Sequence, residues 1–65
     1  MKWEKVERSS YEGKNGIYDF SIRKEKTQWF LDVFLNDVNT SNDAYLETFT
    51  FQTLRESKKE AELYI

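Results

Sequence analysis

Apolar and polar side chains alternate with period two along three stretches of this chain. In residues 17–24, Tyr18, Phe20 and Ile22 share one face, and Asp19, Ser21 and Arg23 the other. In residues 29–36, Trp29, Leu31, Val33 and Leu35 alternate with Phe30, Asp32, Phe34 and Asn36. In residues 45–52, Tyr45, Glu47, Phe49 and Phe51 alternate with Leu46, Thr48 and Thr50. This is the period of strands that lie with one face on a core. Both glycines fall in Glu12-Gly13-Lys14-Asn15-Gly16. Asn15-Gly16 ahead of an alternating run predicts a tight hairpin, because both residues tolerate positive φ. The hairpin implies a further strand before it, within residues 6–12. Polar residues 24–28 suit a second hairpin loop, and residues 36–43, rich in Asn, Asp, Ser and Thr, predict a longer one.

After residue 52 the period changes. Thr53 followed by Glu56 fits a capping box, and Ser-Lys-Lys-Glu-Ala-Glu-Leu beyond it favours a helix. At about 100° per residue, Leu54, Ala61 and Ile65 fall within roughly 40° of each other, flanked by Ser57 and Tyr64. Leu63 falls on the opposite side of that stripe. The expectation is an α+β fold: a three- to four-stranded antiparallel sheet with one C-terminal helix packed on one face, a single small domain over residues 1–65.

One helix covers one face of a sheet. The covered face collects Tyr18, Phe20, Ile22, Trp29, Leu31, Val33, Leu35, Phe49 and Phe51 against Leu54, Ala61 and Ile65. The other face is left with Phe30, Asp32 and Phe34, and with Leu46 or Ile17 nearby. A solvated sheet face normally reads polar, so Phe30, Asp32, Phe34 and Leu46 are the expected surface for a partner protein or a second copy. The alternative is that the N-terminal segment with Trp3 and Val6 folds over the two phenylalanines. Aromatic sheet faces also stack bases, with Arg23, Lys24, Lys26, Lys58 and Lys59 as the candidate nucleic-acid contacts. Against that reading, Asp19 and Asp32 share the face with Arg23.

Composition narrows the chemistry. A chain of 65 residues buries only about 60% of its unfolded surface, so oligomerisation is a natural stabiliser. There is no Cys and no His, which removes disulfides, thiolate sites and imidazole chemistry. Ten Lys and Arg are interleaved with twelve Asp and Glu, net −2, leaving no positive stripe for a phosphate backbone. Asp19, Asp32 and Glu47 are the carboxylates that could approach one another for acid–base work. However, a chain this short hardly encloses both a core and a substrate pocket, so no enzyme activity and no cofactor are expected. Asp37, Asn39 and Ser41 alternate as in a calcium loop, but Asn42 and Thr48 stand where an EF-hand needs Gly and Glu. No apolar run spans a membrane, and Met1–Lys5 has no apolar leader region, so the expected location is the cytoplasm.

Two resemblances add to this. Ser57-Lys58-Lys59-Glu60-Ala61 is similar to the start of the last helix of double-stranded-RNA-binding domains, where the lysine pair touches phosphates. It departs from them in lacking their first helix and in surrounding the lysines with Glu56, Glu60 and Glu62. Trp3, Tyr11 and the glycine-bearing turn, with Phe51-Gln52-Thr53-Leu54-Arg55-Glu56-Ser57-Lys58-Lys59-Glu60-Ala61-Glu62, resemble very short phage- and prophage-encoded proteins built as a β-meander plus helix. Some small phage proteins of this size are homodimers that inhibit host enzymes or anti-phage defence systems. The resemblance therefore implies a homodimeric, non-enzymatic protein-binding module that inhibits or modulates a host protein in the host cytoplasm. The alternative is a small nucleic-acid-binding regulator.

Overall fold

The structure is a computed structural model that describes residues 1–37 and 42–64. It is an antiparallel meander of five strands in the order β1-β2-β3-β4-β5, followed by one helix. The strands are β1 (Trp3–Glu7), β2 (Ser10–Asn15), β3 (Tyr18–Glu25), β4 (Gln28–Asp37) and β5 (Asn42–Phe51), and the helix α1 is Leu54–Leu63. The α+β architecture matches the alternation in the sequence, with one strand more than expected. The middle of the loop expected at 36–43, residues 38–41, and Ile65 of the helical stripe lie outside the described residues.

Each of the first three connections leaves two residues between strands. The strand expected within 6–12 is two strands instead. Charged β1 pairs with β2 through Trp3↔Gly13, Glu4↔Glu12, Lys5↔Tyr11 and Glu7↔Ser10, with a bulge that leaves Val6 unpaired and 51% exposed. Arg8 and Ser9 form the turn. The hairpin expected at Asn15-Gly16 is displaced by one residue: Asn15 pairs with Tyr18, and Gly16 and Ile17 are the loop. Gly16, with φ +65°, occupies the first central position of that loop. Positive φ at that position alone is the pattern of a II′ turn, where glycine is at ease. In the β3–β4 hairpin Lys26 takes the equivalent place with φ 58°, a left-handed conformation that disfavours a side chain.

The register stacks the apolar positions. Ile22↔Leu31↔Phe49 and Phe20↔Val33 cross the sheet as rows, and Phe20, Ile22, Leu31 and Val33 are fully buried with Ala61 of the helix. The helix begins where expected. Thr53 Oγ1 accepts the Glu56 N–H at 3.1 Å and donates to the Glu56 carboxylate at 2.9 Å. Ser57 and Ala61 are buried on its inner face, and the Ser57 hydroxyl donates to the Thr53 carbonyl at 3.2 Å. Small side chains at these two positions let the helix lie close on the sheet. Leu63 points away, 69% exposed. Tyr64 closes the helix end, its ring edge-on to Tyr18, Phe20 and Phe49 at 5.0, 5.9 and 6.2 Å between centroids.

The N-terminal segment does not fold over Phe30 and Phe34. Trp3 lies on the helix-covered side, its ring against Phe20 at 6.4 Å and across the bare backbone of Gly13. The reason is register: Trp3 pairs with Gly13, which pairs with Phe20, so all three share the core row.

Candidate binding face

The sheet face away from the helix is built by the residues between the core positions. Three rows run across it. One is Glu4–Glu12–Ser21–Asp32–Thr48, the second Lys14–Asp19–Phe34–Tyr45, and the third Ser10–Arg23–Phe30–Thr50. Phe30, Asp32 and Phe34 therefore share the uncovered face, as alternation predicted. All three are half-buried, because neighbours on the same face lean on them.

These neighbours form a connected polar network. The Arg23 guanidinium lies 4.9 Å above the centre of the Phe30 ring. Its Nε donates to Asp32 at 3.2 Å, and its terminal nitrogen pairs with Glu25. The Thr48 hydroxyl donates to the other Asp32 oxygen at 2.7 Å and also meets the Tyr45 hydroxyl. Tyr45 in turn packs edge-on against Phe34, with centroids 5.8 Å apart. Glu25 first, and Asp32 with it, push the Arg23 pKa above its ordinary value. A chain of contacts from Phe30 to Phe34 thus holds the two phenylalanines in fixed positions.

Alternation alone groups Tyr45 with Glu47, Phe49 and Phe51, which would turn it to the helix side. A bulge in β5 prevents it. Val33 pairs with Glu47 but Phe34 pairs with Tyr45, so Leu46 is the extra residue and the alternation inverts there. Leu46 is 41% exposed at this irregularity, and Ile17 is 58% exposed in the Gly16-Ile17 turn, where its carbonyl accepts the Asn36 N–H at 2.7 Å. Neither joins the contacts that link Phe30 to Phe34.

Beside Phe34 the face dips into an open depression of about 840 Å3, lined by Lys2, Glu4, Glu12, Lys14, Asp19, Ser21 and Phe34 among others. Sequence reasoning missed this depression. It depends on β1, a strand too short and too charged to announce itself by alternation. Glu4, Glu12, Asp19, Glu25 and Asp32 stand on the face with Lys2, Lys14 and Arg23.

The carboxylates considered for acid–base work are divided by the sheet. Asp19 and Asp32 lie on the uncovered face, whereas Glu47 lies on the helix side and accepts a 2.6 Å hydrogen bond from the Tyr64 hydroxyl. That bond to a carboxylate is the main reason the Tyr64 pKa is pushed up to about 12, with burial adding to it. The candidate nucleic-acid contacts are divided too. Arg23 is held by carboxylates on the uncovered face, and Lys26 sits at a hairpin tip. Lys24 lies over Trp29 at 5.6 Å and Lys58 over Tyr11 at 4.6 Å, both on the helix side, while Lys59 is exposed on the helix.

No helix among the described residues is long and apolar enough to cross a membrane. No family model, curated protein or solved structure matches this chain.

Proposed function

We propose that this chain is a non-enzymatic protein-binding module that presents its uncovered sheet face to a partner protein bearing basic and apolar groups. The observation that carries the reading is the network joining Phe30, Arg23, Asp32, Thr48, Tyr45 and Phe34. It fixes half-exposed aromatic rings and carboxylates on one face before any partner arrives. A surface ordered in advance loses little side-chain entropy on binding. The acidic residues around it favour a partner with Lys or Arg at the contact. Asp32 and Glu47 are both engaged by side chains and lie on opposite faces, which supports binding over catalysis. The resemblance of residues 51–62 to short phage proteins supports a host protein as the target and inhibition or modulation as the effect. For nucleic acid, the division of the five basic residues between two faces and a hairpin tip leaves no continuous phosphate track.

Co-purification from bacterial lysate with this chain as bait tests the proposal. The expected result is a protein retained by the native chain and lost with Phe34→Asp, while circular dichroism shows that variant still folded. Leu31→Asp serves as the contrast and should unfold, since it places a carboxylate among Ile22, Phe49 and Ala61. A partner held equally by Phe34→Asp and Tyr45→Asp chains would refute the face assignment. A nucleic acid shifted below micromolar concentration at about 150 mM salt, and released by Lys24→Glu with Lys58→Glu, would replace the proposal with the nucleic-acid reading.

A further inference from the structure

The two edges of the sheet are built differently. Edge β1 has five residues, a bulge at Val6 and charges at Glu4, Lys5 and Glu7. Short length, bulges and charged side chains are the devices that keep an edge from pairing with another chain. Edge β5 has ten residues. Its stretch Ala44–Phe51 contains no Lys, Arg or Pro and a single charge, Glu47. Even that charge is drawn to the helix side by Tyr64. The run Thr48-Phe49-Thr50-Phe51 beyond the Leu46 bulge is a regular strand of β-branched and aromatic residues, with β4 on one side and, among the described residues, no strand on the other. The helix packs on β3, β4 and β5, and β5 is the outermost strand of the sheet.

We propose that β5 is a self-pairing edge: two copies of this chain join antiparallel along β5 and form one continuous ten-stranded sheet. Antiparallel pairing of identical strands places the two-fold axis normal to the sheet and opposite one residue of each copy. An axis at Glu47 would set two like charges face to face, and one at Tyr45 or Leu46 would fall on the bulge. An axis at Phe49 avoids both. It sets Thr48 opposite Thr50 of the second copy on the uncovered face, and Glu47 opposite Phe51 on the helix side. With this symmetry both helices lie on one side, and the two uncovered faces merge into one broad surface on the other. The inference extends the binding proposal by doubling its surface, and it stands or falls separately from it, because it depends on the edge and not on Phe34.

Sedimentation equilibrium across the micromolar range tests it, with Thr50→Lys, Thr50→Glu and Phe34→Asp beside the native chain. The native chain should approach twice its 7.9 kDa mass, and its outward β5 amides should gain hydrogen-exchange protection as concentration rises. Thr50→Lys and Thr50→Glu should each raise the dimer dissociation constant about tenfold while remaining folded, through like charges near the axis. Mixing these two variants should restore dimers, which damage to the fold would not allow. Phe34→Asp should dimerise normally even where it has lost its partner protein. A monomer up to millimolar concentration overturns the proposal. So does a dimer broken by Phe34→Asp and untouched at Thr50, which would place the two-fold on the sheet face.

Discussion

Replacing Gly13 should show that Trp3 serves as its missing side chain. Gly13 has no positive φ, so alanine suits the backbone there, and in an open strand Gly13→Ala would stabilise by about 0.5–1 kcal/mol through the unfolded state. The site is not open. An alanine Cβ would stand 2.8 Å from Trp3 Cε3, 3.0 Å from Cζ3 and 3.1 Å from the Met1 sulfur. Carbon pairs prefer about 3.5–4.0 Å, so the indole must lift by nearly 1 Å. The ring is a rigid plate against Phe20, and lifting it loosens the packing that ties β1 to the core. Overpacking of this kind costs about 1–3 kcal/mol, so Gly13→Ala should destabilise by about 1–2 kcal/mol net. In a Trp3→Ala background only the flexible end of Met1 remains close, and the same change should stabilise by about 0.5 kcal/mol. The sign therefore reverses, with a coupling of about 2 kcal/mol between the two positions. Urea unfolding of the four chains, followed by circular dichroism, measures it. Equal effects of Gly13→Ala in both backgrounds would refute the contact. The Trp3→Ala chain should also weaken partner binding, because Lys2 and Glu4 beside Trp3 wall the depression next to Phe34.

Lys26→Gly should raise stability by about 1 kcal/mol, since it relieves a left-handed φ in a two-residue hairpin; an unchanged urea midpoint would count against that conformation. Tyr64 gives a pH dependence whose sign follows from its raised pKa. The unfolded tyrosine releases its proton near 10 and the folded one near 12, so the unfolded chain binds fewer protons between them, and stability should fall as pH rises through that window. Tyr64→Phe should flatten that part of the curve, and ultraviolet titration should find one tyrosine ionising late in the native chain.

The candidate face was legible to the extent that it rests on alternation. Phe30, Asp32 and Phe34 fall between Trp29, Leu31, Val33 and Leu35, and a strand of fixed period two has no other way to place them once its inner face is known. Tyr45 was not legible. Its face depends on a single extra residue, Leu46, and a bulge is a matter of pairing between β4 and β5 rather than of local composition. Nor was β1 legible, because an edge strand protected by charges resembles a polar loop when read alone.

By itself the sequence determined the layers and their polarity. Period-two runs, the glycine turn and the Thr53–Glu56 cap are local signals, each encoded within a few residues, and they suffice for a meander with a helix across one face. Even the outward direction of Leu63 follows from helical spacing alone. Tertiary structure decided everything that depends on register between distant segments. Pairing Trp3 with Gly13 carried the N-terminus to the helix side, and the bulge at Leu46 brought Tyr45 to Phe34. Pairing across β3, β4 and β5 linked Arg23, Asp32 and Thr48 into one network while leaving Glu47 to Tyr64 on the other side. Slipping a strand by one residue turns every side chain to the opposite face, so these outcomes rest on the summed packing of whole strands, which no short stretch of sequence contains.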